Sequence, residues 1–516
     1  MPNFKRYNYN QDVMVVVNFE EQLHPGTFEF TLHHLIDNHI DLSAFYDKYR
    51  NDTGGRSAYD PAILLKIILF AYSKGITSSR EIQWQCEHNI IFKALSCDSV
   101  PHSIASFVSS YPDAIEAIFE QVLMVCDQQG LLGNELFAID GCKMSSNASK
   151  EHSGTFKELE AKRTKIRKKI QHCLKEHKKL DGRKPAERER KQRLAQATET
   201  LQKHFDKIDQ FLKTAAPRMG QGKQPKEVKS NITDNESAKM TTSKGTIQGY
   251  NGVAAVDKKH QIIVEAQAFG EGQEHHTLKP VLDGLTVRYR KAGIYNNILA
   301  EQVIVTADTG FSNEANNEYL KVEGINAFIP DNQFRSRDKA FARQKEKHGK
   351  RHRDTLVGVK QVIPASEFQF DKRRKTCVCP AGKELLLYRE ERVSEGKRKL
   401  FFEGRLTDCR HCHLKHQCMR NPSSADTRDG HGRQVSTTWT NGRTATDWMK
   451  KRVDSLEGKT IYSHRMSVVE PVFGNIGTNK RLNRFSLRGK EKVQGQWRLF
   501  CLIHNIEKLM RYGAIH

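Results

Sequence analysis

The chain holds 516 residues, 37% of them hydrophobic, and its 84 Lys and Arg outnumber 61 Asp and Glu for a formal net charge of +23. That apolar content excludes global disorder, and the length predicts about three domains around a large buried core. No uncharged apolar run approaches the ~18–20 residues of a membrane span, and Met1-Pro2-Asn3-Phe4-Lys5-Arg6 lacks the apolar centre of a signal peptide, so a cytoplasmic chain is expected. Cytosolic thiols stay reduced, so the eleven cysteines read as metal ligands or core residues, not as disulfides. The cationic surplus predicts a polyanionic partner, with nucleic acid favoured over a merely solvated basic surface.

Residues 1–131 are expected to form a helical, DNA-contacting N-terminal domain. Tyr59 to Leu131 reads as helical, and Pro61 opens the apolar series Ile63, Leu64, Ile67, Ile68 and Phe70. Ser78 with Glu81 fits a capping box and predicts a helix start. Breaks at Gly75 and Pro101 give a helix-turn-helix-like bundle, a DNA reader or simply a scaffold.

Residues 132–330 predict the first part of an α/β core. Glu135 to Asp140 is a short apolar run closed by a carboxylate and Gly141, the pattern of a buried strand with Asp140 at its end. Residues 151–216 interrupt the core. There Leu159, Ile166, Cys173 and Leu180 recur every seven residues, and Leu194, Leu201 and Ile208 repeat the pattern after Pro185. Two such seams predict an antiparallel helical hairpin. Its stretch Lys157 to Arg193 carries 16 Lys and Arg against 6 Asp and Glu, which predicts contact with a DNA backbone ahead of dimerisation.

Strands are then expected over Thr241–Gly245, Gln248–Val256 and Gln261–Ala268, with a turn at Asp257-Lys258-Lys259-His260. A helix over His276–Arg290 follows. Gln302 to Asp308 is a second apolar run closed by a carboxylate, and after it come a helix over Asn313–Val322 and a strand over Asn326–Pro330. This alternation predicts a mixed sheet covered by helices. Residues 331–460 read as an insert, basic and loop-like over Asp331–Lys360, with a cysteine cluster beyond. Residues 461–516 read as helical, with Trp497, Phe500, Ile503, Ile506, Leu509 and Met510 in one buried stripe.

No Walker A loop, dinucleotide glycine fingerprint or H-E-x-x-H motif occurs. Asp140 and Asp308 instead end two apolar runs, and carboxylates at neighbouring strand ends suit Mg²⁺ or Mn²⁺. Two such ions about 3.5–4 Å apart clamp the attacking and leaving oxygens of a phosphodiester. Glu470, set among apolar neighbours before Pro471, is the candidate third ligand. Among the cysteines, Cys379, Cys409, Cys412 and Cys418 have spacing suited to one structural Zn²⁺, with Cys377, His411, His413 and His416 as possible substitutes. Cys86, Cys97, Cys126, Cys142, Cys173 and Cys501 read as core or seam residues.

Five segments in order then carry a family resemblance. They are YDPAILLKIILFAYSKGITSSREI from Tyr59, FAIDGCKMSSNASK, NITDNESAKM with GTIQGYNGVAAVD, VIVTADTGFSNEANNEYL, and RMSVVEPVFGNIGTNKRLNRFSLRG. Together they resemble insertion-sequence transposases of the DDE, RNase H-like type over nearly the whole chain. The resemblance implies that Asp140, Asp308 and Glu470 are the catalytic metal ligands, two on a five-stranded mixed sheet and the Glu on a late helix. It also points to Tyr462, Arg465 and Lys480 as helpers, although Arg465 and Glu470 on one helix point roughly 140° apart. Arg465, Lys480, Arg481, Arg484 and Arg488 are the candidate phosphate contacts. The expected function is metal-dependent cleavage and strand transfer at the ends of a bacterial mobile element. A homo-oligomer would act on double-stranded DNA, the terminal inverted repeats and the target, at the nucleoid. The alternatives are an inactive zinc-containing DNA-binding relative and a nuclease of the same fold without strand transfer.

Overall fold

Four consecutive buried residues, Leu136 to Ile139, open strand β1 (Leu136–Ser145), a run covered on both faces as a central strand requires. The structure is a computed structural model that describes residues 14, 16–49, 54, 57–180, 184–221, 224–243, 245–338, 362–371, 374–394, 397–440 and 444–514. The N-terminal hexapeptide, the Asp181-Gly182 turn and residues 339–360 of the expected basic loop lie outside them. The chain divides into two units, Met1–Pro330 with Leu456–His516, and Asp331–Ser455.

In the first unit, β2 (Ser153–Gly154) and β3 (Ser230–Asn231) pair with each other. The strands β4 (Ala238–Thr242), β5 (Gly245–Asp257), β6 (Ile263–Phe269), β7 (Ile304–Ala307) and β8 (Ala327–Phe328) join β1 in a mixed sheet. Its order is β4-β5-β1-β7-β8, and β6 also pairs with β5. β1 runs antiparallel to β5, with Asp140 opposite Ala254, and parallel to β7, with Ile139 opposite Ala307. The expected end of β1 at Asp140 is corrected. Gly249 to Val253 of β5 keep pairing as far as Ser145, so backbone bonding carries the strand beyond its apolar run and leaves Asp140 within it.

Among the described residues, six α-helices precede the sheet: α1 (Phe28–Asn38), α2 (Pro61–Ser73), α3 (Ser79–His88), α4 (Ile90–Ser96), α5 (Ile104–Ser110) and α6 (Pro112–Gln128). Asp60 caps α2, accepting from the Ala62 N–H, and Pro61 takes the first helical position, where its missing donor costs nothing. α3 starts where expected, but the Ser78 side chain makes no capping bond, so the capping box does not form. Cys97 is also corrected: it is exposed, in the left-handed turn ending α4.

The hairpin consists of α7 (Phe156–Lys179), started by a Thr155–Glu158 capping box, and α8 (Pro185–Thr214). Only its base has a core, made by Leu159, Ile166, Ile170 and Ile208, while Leu174 is 45% exposed. Helices α9 (Leu278–Lys291) and α10 (Glu314–Val322) follow, and the unit closes with α11 (Leu456–Gly474) and α12 (Lys490–Tyr512). In α12 Trp497, Phe500, Ile503, Ile506 and Leu509 are buried, and Met510 is half-buried. That helix lies between β6 and α6, and Phe500 stacks on Tyr72 of α2. The buried Arg288 pairs with Glu265 at 2.7 Å and with Glu116 and Glu120 of α6, and Glu116 also holds Arg498. These charges pair because an unpartnered charge in a core is costly, and they lock the N-terminal helices to the sheet.

The second unit is an antiparallel sheet of β9 (Gln369–Asp371), β10 (Thr376–Val378), β11 (Glu384–Ser394), β12 (Lys397–Arg405) and β13 (His431–Thr440), in the order β13-β12-β11-β10-β9. Phe368, Cys377, Leu385, Leu400, Phe402 and Val435 form its core. Among the described residues, no helix is long and apolar enough to cross a membrane.

Candidate active site

The parallel β1–β7 register, extended by one residue, brings Asp308 opposite Asp140. Asp308 then begins a tight turn, its carbonyl accepting from the Phe311 N–H at 3.0 Å. The carboxylate of Asp140 accepts from the Gly141 N–H at 2.9 Å, and its other oxygen lies 2.8 Å from the Arg465 guanidinium. Burial raises the Asp140 carboxyl above its ordinary value. Arg465 and the Gly141 N–H oppose that shift, while Asp308 and Glu274 add to it by like-charge repulsion.

Glu274 was not among the sequence candidates. It lies in the turn between β6 and α9, where its carboxylate pairs with Lys143 of β1 at 3.3 Å. It also packs on the turn after Asp308, so closely that a Cβ at Gly310 would overlap its Oε2. Its segment Gly270-Glu271-Gly272-Gln273-Glu274 is polar and glycine-rich and reads as a loop, so only the fold brings it to the site. Buried Asn251 lies beside Gly141, close enough that a Cβ there would crowd its Oδ1, and its amide has no hydrogen-bond partner among the described residues.

α11 crosses β1, β7 and β8 and buries Arg465, Val468, Val469 and Val472 on one side. Glu470 lies about 140° around that helix from Arg465, is exposed, and makes no ion pair or side-chain hydrogen bond among the described residues. The helix runs through Pro471 into a π-turn, Asn475–Asn479. Lys480 follows, buried and paired with Glu507. Arg481, Arg484 and Arg488 are exposed. Arg481 sits in the left-handed region with its side chain against Gly75. Arg484 and Arg488 donate to the carbonyls of Ser146 and Asn147, just past the end of β1.

In the second unit Cys379, Cys409, Cys412 and Cys418 line one cavity of about 40 Å³. The Lys383 N–H donates to Cys379 Sγ at 3.3 Å, and the Arg433 N–H donates to the Cys409 thiol. Cys377 belongs to the apolar core instead, and none of His411, His413 and His416 lines the cavity. Among the described residues, no three His, Cys, Asp or Glu side chains stand as a ready metal-holding group, at this cavity or beside Asp140.

Residues 378–510 match the family described as Transposase DDE domain, and residues 17–109 match the family described as Transposase domain (DUF772). Both matches support an insertion-sequence DDE transposase. No curated protein and no solved structure matches it. The first match contains Arg465, Glu470, Lys480 and the four cavity cysteines, and begins beyond Asp140 and Asp308, which it does not include. The second covers α1 to α4 and nearly all of α5.

Proposed function

We propose that this transposase cuts the ends of its insertion sequence and joins them to target DNA, using Asp140 and Asp308 on an RNase H-like core. The observation that supports this reading is the parallel β1–β7 pairing, whose last pair, Ile139 and Ala307, immediately precedes Asp140 and Asp308, with opposing charge supplied by Arg465. Carboxylate oxygens fit Mg²⁺ or Mn²⁺, and Asp140 and Asp308 would hold the ions, whereas Glu470, exposed and about 140° around α11 from Arg465, is not turned toward them as a third ligand. Bound there, such ions supply the Lewis acidity that activates water or a DNA 3′-hydroxyl and stabilises the leaving oxygen. Around that step the protein's own groups set the charge. Arg465 offsets the Asp140 carboxylate, and Lys143 holds Glu274 beside the Asp308 turn. The exposed Arg481, Arg484 and Arg488 hold phosphates near the site.

In the second unit, Cys379, Cys409, Cys412 and Cys418 would hold one structural Zn²⁺. Their shared cavity and the two backbone N–H groups aimed at sulfur support this assignment, because such bonds stabilise thiolates.

The test supplies a duplex bearing the element's terminal repeats, Mg²⁺, and either the native protein or Asp308→Asn. Cleavage by the native protein and its loss in the variant are expected. Equal cutting by both overturns the assignment of Asp308. A pre-cut end with plasmid target then reads the joining step, and absence of joined product overturns strand transfer in favour of a nuclease.

A further inference from the structure

The helical hairpin grows from the strand that carries Asp140. β1 ends at Ser145, residues 146–152 lead to β2, and the chain returns from α8 to β3, which closes the root by pairing with β2. α7 has 24 residues, so it extends about 36 Å. Beyond its base there is little apolar burial to explain it as a core element.

Its charge is distributed unevenly. From Ala161 to Lys175 there is no acidic residue. Four acids elsewhere on the hairpin pair with nearby cations: Glu176 with Lys179 and Arg190, Glu189 with Arg193, Glu199 with Lys203, and Asp209 with Arg163 and Lys213. Among the α7 cations left over are Lys165, Arg167, Lys168, Lys169, Lys175 and Lys178. All six are exposed and make no ion pair or side-chain hydrogen bond among the described residues. Like charges one helical turn apart repel each other, and a stripe of them is relieved by a polyanion. At the root, exposed Arg484 and Arg488 are held against residues 146 and 147, between the strand of Asp140 and the hairpin.

Resting on the transposase reading, we propose that the outer face of α7 is a clamp for the phosphate backbone of double-stranded DNA, continuous with Arg484 and Arg488, which steadies the duplex whose end is cut. The contact is to phosphates and is independent of base sequence.

The experiment measures binding of the full chain to a duplex of unrelated sequence by fluorescence anisotropy across a salt series. The variant is Lys165→Gln/Arg167→Gln/Lys168→Gln/Lys169→Gln, and Lys203→Gln on the charge-balanced part of α8 is the control. Each cation that meets a phosphate contributes about 0.9 to the slope of log affinity against log salt, so the quadruple variant should flatten the slope by about 3.6. Affinity at moderate salt should fall at least about ten-fold, with Lys203→Gln unchanged. An unchanged slope in a variant that keeps its circular dichroism overturns the clamp. So does a change confined to the mass measured by sedimentation, which would make the face a subunit contact. If the slope is unchanged while the native protein still cuts element ends, the clamp alone fails. If the slope flattens but no ends are cut, the transposase reading fails and the clamp stands.

Discussion

The guanidinium of Arg465 lies 2.8 Å from the carboxylate of Asp140 and is buried beneath α11. An Asp in the middle of a central strand, short of water and next to Asp308, needs a positive charge, and here a side chain supplies it. The pair therefore joins α11 to the strand that carries the proposed chemistry.

Removing one partner should leave the other exposed to that desolvation. Breaking a buried pair costs about 3–5 kcal/mol, and the partial exposure of Asp140 lowers the expectation for Arg465→Ala to about 2–3 kcal/mol. Denaturant unfolding checks this. Adding Asp140→Asn should recover part of the loss, and strictly additive losses would show that the two residues are not coupled.

Gly310 is expected to be a conformational control on Glu274. Gly310→Ala places a methyl where the Glu274 carboxylate lies, but that carboxylate ends a flexible side chain and can swing away. Stability should change by less than about 1 kcal/mol while end cleavage falls. Glu274→Ala should lower cleavage too, and the double variant should be no worse than the weaker single one. Additive losses in cleavage would separate the two positions.

His504 of α12 predicts an acid sensitivity. Its Nε2 donates to the Gln261 carbonyl at 2.9 Å, and its Nδ1 accepts from the Asn475 amide at 3.1 Å, tying the π-turn to the β5–β6 turn. Burial, the largest cause, pushes its pKa from 6.5 down to about 4. Below pH 6.5 the unfolded chain binds a proton that the folded site refuses, so stability is full above that pH and falls until about pH 4. Between pH 7 and pH 5 the loss from this group is about 2 kcal/mol. Urea unfolding of His504→Gln should show a correspondingly flatter pH dependence. An identical slope would mean the folded histidine takes up its proton as freely as the unfolded one.

For the cysteine cavity, metal analysis of purified protein should find about one zinc per chain. Cys412→Ser should retain less than half of it, and chelation of the native protein should expose about four additional reactive thiols. Protein free of zinc after chelator-free preparation would count against the site.

Several elements were legible from residue pattern. The hairpin followed from its heptad seams, the β5–β6 turn from Asp257-Lys258-Lys259-His260, and α12 from its stripe of Trp497, Phe500 and Ile503. The capping box at Ser78 and the end of β1 were not, because both depend on bonds to partners that local pattern does not specify. The four cavity cysteines could be named from spacing, while the exclusion of Cys377 required the β10 register that turns it into the apolar core.

By itself the sequence determined the α/β alternation, the cationic hairpin and the family that both matches support, since periodicity, charge and motif order are properties of neighbouring residues. Only the tertiary structure decided that Arg465 meets Asp140, that Glu274 stands by the Asp308 turn, and that Glu470 faces outward from α11. Those outcomes depend on strand register and helix rotation, which are set by burial and pairing between segments far apart in the chain.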